Sequence, residues 1–355
     1  MSVWFKYAGD KDITPGHPGS VSLFSLPGGG AAPSTNVLIS NQTLNSLNAT
    51  ISSASGAESF VFGGSGQTFV TNGSSVTNFY YTTDTSSNFS LDLTGLTSLY
   101  SVGIDNNLLM STAPDLSGLT SLNDVSVVNN VAMVNGPDLS GCTSLSTVVI
   151  NYNNSMTGLP DFTGSNAISS ITMDENDALT SAPDLSDISG LISLNFNGNG
   201  LVTSPPIVAN LTGLTYATIN DNDSMATAPS FSGCTGLITV NLNYNDSMTT
   251  APNYTGCSSL QYAYSFGNPS MTAAPVFTGC VSLTGIDVSG CAISSSNLLA
   301  MCDALEAIFP GTGGGKTLNM DGGTNGDFDG QNLPSEIQDL INSGWSVVFN
   351  DNNPL

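Results

Sequence analysis

One period of 23 residues runs through most of this chain. Pro114, Pro137, Pro160, Pro183, Pro206, Pro229, Pro252 and Pro275 carry it, and so do Asn107, Asn130, Asn153, Asn176, Asn199, Asn222, Asn245 and Asn268, with no gap in either column. A third column holds Leu99, Leu122, Leu145, Ile168, Leu191, Leu214, Leu237, Leu260 and Leu283. Self-similarity at a fixed step of this size means a stack of like coils, none of which can bury a core alone.

Within a copy, Leu145, Val148, Ile150 and Asn153 give the frame L-x-x-V-x-I-x-x-N, and Leu237, Val240, Leu242 and Asn245 repeat it. Leu283, Ile286, Val288 and Cys291 give it again, with Cys in the Asn slot. The alternating apolar pair is a short strand with its apolar side inward. The Asn stands where the chain leaves the strand, able to bond backbone groups of its own and the neighbouring coil that burial would otherwise leave unpaired. Met110, Met133, Met156, Met225, Met248 and Met271 follow, with Leu179 and Val202 in the same column. Pro then blocks a helix. Gly118, Gly141, Gly164, Gly233, Gly256 and Gly279 mark a sharp turn. Each coil buries about six apolar side chains, roughly 1.5–3 kcal/mol apiece.

The frame resembles the leucine-rich repeat. The resemblance implies a right-handed leucine-rich-repeat solenoid, and the Pro, Gly, Ser and Thr of the return side make it mainly β with a non-helical convex side. The repeat sets the domain limits. Val76, Phe79, Tyr81 and Asp84 fit the frame loosely, and Phe60 and Phe62 lie 23 residues after Val37 and Ile39. Residues 36–291 are therefore read as solenoid, with one short or irregular coil between Phe60 and Phe79. Residues 1–35 hold Lys6, Lys11 and His17 and a Pro/Gly-rich stretch, "ITPGHPGSVSLFSLPGGGAAPS". They are read as an arm or attachment segment.

Residues 292–355 predict an α/β cap of βαβ type. Leu298, Leu299, Cys302, Leu305 and Ile308 stand at helical spacing, Leu318 and Met320 mark a strand, "LPSEIQDLINSG" reads as a second helix, and "WSVVFN" as a last strand. This ending, with "DVSGC", "GGTNG" and "INSGWSVVFN", resembles the C-terminal module of leucine-rich-repeat proteins in bacteriophage tail fibres and bacterial surface proteins.

Composition narrows function. The formal net charge is −24, there is no arginine, and no Lys or Arg stands between Asp12 and Gly315. Nucleic-acid binding needs such cations in number, and so does an anionic membrane surface. No apolar run is long enough to span a bilayer, and the N-terminus "MSVWFKYAGDKD" lacks the pattern of a Sec signal. The only histidine is His17, so a Ser–His or Cys–His pair within the solenoid is ruled out, and nothing selects a pair of catalytic carboxylates. No enzymatic activity is expected.

Other motifs have plain readings. Cys142, Cys234, Cys257 and Cys280 share a column with Leu119, Ile188 and Leu211, which makes it a buried apolar slot. All six cysteines are expected as free thiols. "GTGGGKT" at Gly311–Thr317 has three residues between Gly311 and Gly315 where a phosphate loop needs four. Asp174 with Asp177, and Asp221 with Asp223, are weak Ca²⁺ candidates beside the Asn column, and solvated turns explain them more simply. No cofactor is expected.

The outward strand positions follow the first Leu by two, four and six residues. In early coils they are small and polar. Later they read Tyr216, Thr218, Asn220; then Thr239, Asn241, Asn243; then Tyr262, Tyr264, Phe266, with Tyr244 one residue further on. Rings beside amides and carboxylates suit sugar recognition or a protein partner. The same rings can pack under the cap or against a sister subunit. The expectation is a virion-surface adhesin, a tail-fibre or spike subunit, that binds a host receptor or glycan through Tyr216, Asn241, Asn243, Tyr244, Tyr262, Tyr264 and Phe266. It would join other virion proteins through residues 1–35 and form a homo-oligomer. A capsid-decorating or fibre-forming subunit, and a bacterial surface adhesin, are the alternatives.

Overall fold

The computed structural model describes residues 93, 96–311, 314–330 and 332–350 in full, and in residues 1–92 the backbone of eight strands and the side chain of Phe79. Two compact units make up the chain: residues 1–168 with 175–178, and residues 169–174 with 179–355.

The first unit opens with strands that pair antiparallel except for β2 (Val21–Leu23) with β6 (Phe69–Thr71), which pair parallel. β1 (Phe5–Tyr7), β2, β6, β3 (Thr35–Ser40) and β8 (Ser90–Asp92) form one sheet. In a second, β4 (Leu44–Ser53) pairs antiparallel with both β5 (Gly56–Gly64) and β7 (Val76–Thr82). Parallel stacking starts at β7, which pairs in register with β9 (Ser101–Asp105), Phe79 opposite Val102 and Tyr81 opposite Ile104. β10 (Asp124–Val128) and β11 (Thr147–Asn151) follow at the same step.

This corrects the expectation that coils begin near residue 36. Phe60 and Phe62 lie on β5 and Val37 and Ile39 on β3, strands that do not pair with each other. The spacing of 19 between Phe60 and Phe79 reflects a chain that doubles back. Within residues 1–35, read as an arm or attachment segment, β1 and β2 join a sheet with later strands; the rest of the segment, with the side chains of Lys6, Lys11 and His17, lies outside the described residues.

In the second unit every ladder is parallel: β12 (Ser170–Thr172), β13 (Ser193–Asn195), β14 (Tyr216–Thr218), β15 (Thr239–Asn241), β16 (Tyr262–Tyr264), β17 (Gly285–Asp287), β18 (Thr317–Met320) and β19 (Ser346–Phe349). The return side of each coil is made of turns and isolated parallel bridges, with no helix among the described residues before α1 (Ser295–Ile308). Ser294 caps α1 by accepting the Asn297 N–H, and α2 (Ser335–Asn342) starts after Pro334 and ends before Gly344. Together with β18 and β19 they form the expected α/β cap. No helix among the described residues is long and apolar enough to cross a membrane.

The columns of the sequence become columns of the core. All eight asparagines from Asn107 to Asn268 are fully buried, as are Met110, Met133, Met156, Met225, Met248 and Met271 of the next column. Each buried amide does two jobs. Asn222 Nδ2 donates to the Phe196 carbonyl 26 residues back at 2.9 Å, and its Oδ1 accepts the Asn199 N–H at 3.0 Å. Asn245 repeats this with Ile219 and Asn222, and Asn153 with Val127 and Asn130 in the first unit. Where Cys291 replaces Asn, its thiol donates to Ser265 O at 3.2 Å.

The cysteine column turns out to be more than an apolar slot. Cys142, Cys234, Cys257 and Cys280 each donate to a carbonyl 26 residues back at 3.1 Å, and the Ser165 hydroxyl does so to Leu139 O at 2.7 Å. Donation needs the neutral thiol, and burial pushes Cys257 and Cys280 up to about 12. All six cysteines are free and buried.

The architecture is a leucine-rich-repeat solenoid with an α/β cap. Asn222→Ala leaves a buried N–H and a buried carbonyl unpaired and is expected to cost about 3 kcal/mol in urea unfolding. Cys257→Ser keeps the donor, as Ser165 does, and is expected to stay within about 1 kcal/mol of the parent.

Candidate ligand-binding face

The strands of the second unit are three residues long through most of the ladder, so alternation places only two side chains per coil outward. Tyr216, Thr239, Tyr262 and Gly285 stand in one row, in register across β14 to β17. Thr218, Asn241, Tyr264 and Asp287 form the next. Tyr216 is half exposed; Asn241, Tyr262 and Tyr264 are half-buried.

Beyond the strand, the third outward position behaves differently from expectation. Asn243 was expected to face a ligand, yet it is buried, because β15 ends at Asn241 and the chain has already turned. Its Oδ1 accepts the Phe266 N–H at 3.1 Å, while its own N–H goes to Asn220 Oδ1 at 2.8 Å. Asn220 N–H goes in turn to Asn197 Oδ1 at 2.9 Å, and Asn197 N–H to Asp174 Oδ1 at 2.7 Å. This second ladder holds the face from the solvent side, and Asn243 is a positioning residue in it.

The residue after this ladder sits in the left-handed region in coil after coil. In the second unit the column reads Gly198, Asp221, Tyr244, Gly267 and Gly290, with φ of 67°, 57°, 57°, 68° and 66°. Gly and Asp suit that conformation. In the first unit the same column reads Asn106, Asn129, Tyr152 and Glu175, with φ of 61°, 57°, 59° and 56°, and a bulky aromatic residue there, Tyr152 as well as Tyr244, is strained by roughly 1–2 kcal/mol. Tyr244 is nonetheless 51% exposed, and its ring lies across Gly267, where an added Cβ would fall 2.6 Å from Cδ1. Phe266 meets it edge-on, with ring centroids 5.2 Å apart. The device recurs one row over: the Tyr262 ring lies across Gly285, whose added Cβ would be 3.0 Å from Cδ1. Tyr264 stacks beside it, centroids 6.1 Å apart. Burial, then Tyr262 and Asp287, push the Tyr264 phenol above its ordinary value, keeping it a neutral donor.

The geometry thus gathers Tyr244, Tyr262, Tyr264 and Phe266 on neighbouring coils, with Tyr216 in the row of Tyr262. The backbone strain at Tyr244 and the glycine seats under the rings were missed in the sequence, although Gly267 and Gly285 were there to be noticed as residues opposite tyrosines.

Two of the weak Ca²⁺ candidates, Asp174 and Asp177, accept hydrogen bonds from asparagines. Asp174 accepts from Asn197, and in the first unit Asp177 accepts from Asn154 Nδ2 at 2.9 Å. Burial, then Asp223 and Asp246, push the Asp221 carboxyl up. Among the described residues no three potential ligands converge on a metal position. Lys316 is also engaged, its Nζ donating to Leu283 O at 2.7 Å and lying over the Phe309 ring.

Burial raises the Asp174 carboxyl above its unfolded value of 3.8, against the opposing bonds from Asn197. A raised folded pKa means that its contribution is most favourable below pH 3.8 and is lost as pH rises through the folded value. Asp174→Asn keeps the acceptor, as Asn197 and Asn220 do, without the charge. In urea unfolding it is expected to be more stable than the parent at pH 7, with the gap closing below pH 3.8. A less stable variant at pH 7 would contradict the burial argument.

No family model matches the sequence, and no curated protein does. Among solved structures, one similar to this chain is an internalin from Listeria monocytogenes, with a TM-score of 0.42, 14% sequence identity, and coverage of 78% of this chain and 67% of that one.

Proposed function

We propose that this protein is a non-enzymatic adhesin, a recognition scaffold that works outside the cell and meets a cell-surface receptor with the aromatic strand face of its second unit. The observation that carries the proposal is that face: four rings on adjacent coils, two of them seated on glycines, on a backbone clamped by two amide ladders. Tyr152 takes the same left-handed turn half exposed, but Glu175 follows it by 23 residues; of the two tyrosines in this column, Tyr244 is the one seated on a glycine of the next coil. The lack of Lys and Arg from residue 12 to 315 supports a partner that is not polyanionic.

A bacterial surface is the carrier we favour. The finer placement, on a virion as a tail fibre or spike, rests on the resemblance of the C-terminal module and finds no support in the comparisons. Attachment through residues 1–35 and assembly as a homo-oligomer belong to the same reading. Locating the protein on its native cell or particle decides the carrier.

The face is tested with fluorescent full-length protein on a panel of intact cells. Binding to at least one cell type is expected, and Tyr262→Ala with Tyr264→Ala is expected to lower the bound fraction at least tenfold with the fold intact by circular dichroism. Equal binding by the double variant, or no binding to any cell, would remove the proposal.

A further inference from the structure

The way the rings are laid points to the chemistry of the ligand. Tyr244 and Tyr262 each rest on a glycine of the next coil, and with half of Tyr244 exposed, a flat ring face is turned to solvent. A partner that stacks needs such a face. The C–H side of a sugar ring is one, with hydroxyls around its rim for amides and phenols to bond.

The surroundings agree. The outward neighbours on these coils are Thr218, Thr239, Asn241 and Asp287, polar side chains of hydrogen-bonding type. None is aliphatic, whereas the centre of a protein–protein contact is apolar and closely packed. Charge narrows the class further. Asp221, Asp223 and Asp246 stand close enough together to raise the Asp221 carboxyl, and Asp221 precedes Tyr244 in the left-handed column. Among the described residues Lys316 is the one basic side chain, and its Nζ is taken by Leu283 O, so an anionic sugar would meet these carboxylates without a free cation beside them.

We propose that Tyr244, held on the glycine of the next coil, binds a neutral glycan by stacking together with Tyr262 and Tyr264. The inference rests on the adhesin reading and gives it a ligand class. Coils about 4.8 Å apart set Tyr262 two coil steps from Tyr216 in the same row, a span that an extended oligosaccharide can bridge.

Tyr244→Asn separates binding from folding, because Asn106 and Asn129 already take the same turn, with φ of 61° and 57°. The variant is expected to melt roughly 2–4 °C higher than the parent while losing at least tenfold in affinity. The probes are an array of neutral and of sialylated or uronic-acid oligosaccharides, and the bound cells treated with periodate or with protease. The parent should bind neutral oligosaccharides and not anionic ones, and periodate should abolish cell binding. Unchanged affinity in Tyr244→Asn, preference for anionic sugars, or an empty array would overturn the inference. So would cell binding that survives periodate and is lost to protease; that result would name a protein receptor and leave the adhesin reading standing.

Discussion

Every coil of this chain has to bury peptide groups where the strand ends, and the structure is arranged around pairing them. At that bend the backbone cannot continue its ladder, and water does not reach it. A side-chain amide fits because it donates and accepts at once: Asn222 gives to Phe196 O and takes from Asn199 N–H. The direction matters. The buried ladder passes each Oδ1 to the N–H of the coil before, whereas the outer ladder through Asn197, Asn220 and Asn243 passes it to the coil after. Two ladders of opposite sense fix the coil spacing in the second unit from both sides, and the strand face between them inherits that rigidity. The thiols and Ser165 repeat the donor half of the device on the return side, reaching carbonyls 26 residues back.

What could be read from the sequence was whatever kept the period. The Asn, Met, Pro and Leu columns declared themselves because equivalent positions repeat without insertion. The cap helices declared themselves through Leu298, Cys302 and Leu305 on one stripe. The start of the stack did not, because antiparallel strands carry no 23-residue step, and the frame could be forced onto Phe60 and Phe62 although they pair backwards. Asn325 was passed over for a related reason. It resumes the buried ladder, donating to Val288 O and accepting the Ile293 N–H, but it follows Cys291 by 34 residues, since α1 has been inserted between them.

The candidate face was half legible. Strict alternation picked out Tyr216, Asn241, Tyr262 and Tyr264 correctly as outward. It failed at Asn243, because alternation is a property of extended backbone and β15 is over by then. The residue pattern sets Gly267 and Gly285 opposite tyrosines, but that the rings lie on them, and that Tyr244 is in the left-handed region, needs the backbone geometry. Those facts tie the architecture to its use. The repeat gives a regular, rigid and nearly cation-free surface, and the rings laid on Gly267 and Gly285 are the local departure from that regularity.

The central claim, that buried side-chain amides hold coil to coil, is tested most directly by native-state hydrogen exchange at the Asn199, Asn222 and Asn245 backbone N–H groups. If each is bound to the next Asn side chain out of reach of water, these amides should exchange as slowly as Val240 in the centre of β15, opening only when the stack unfolds. Exchange as fast as in solvated turns, with Val240 still protected, would mean that the amides are not the joints of the stack and would contradict the account.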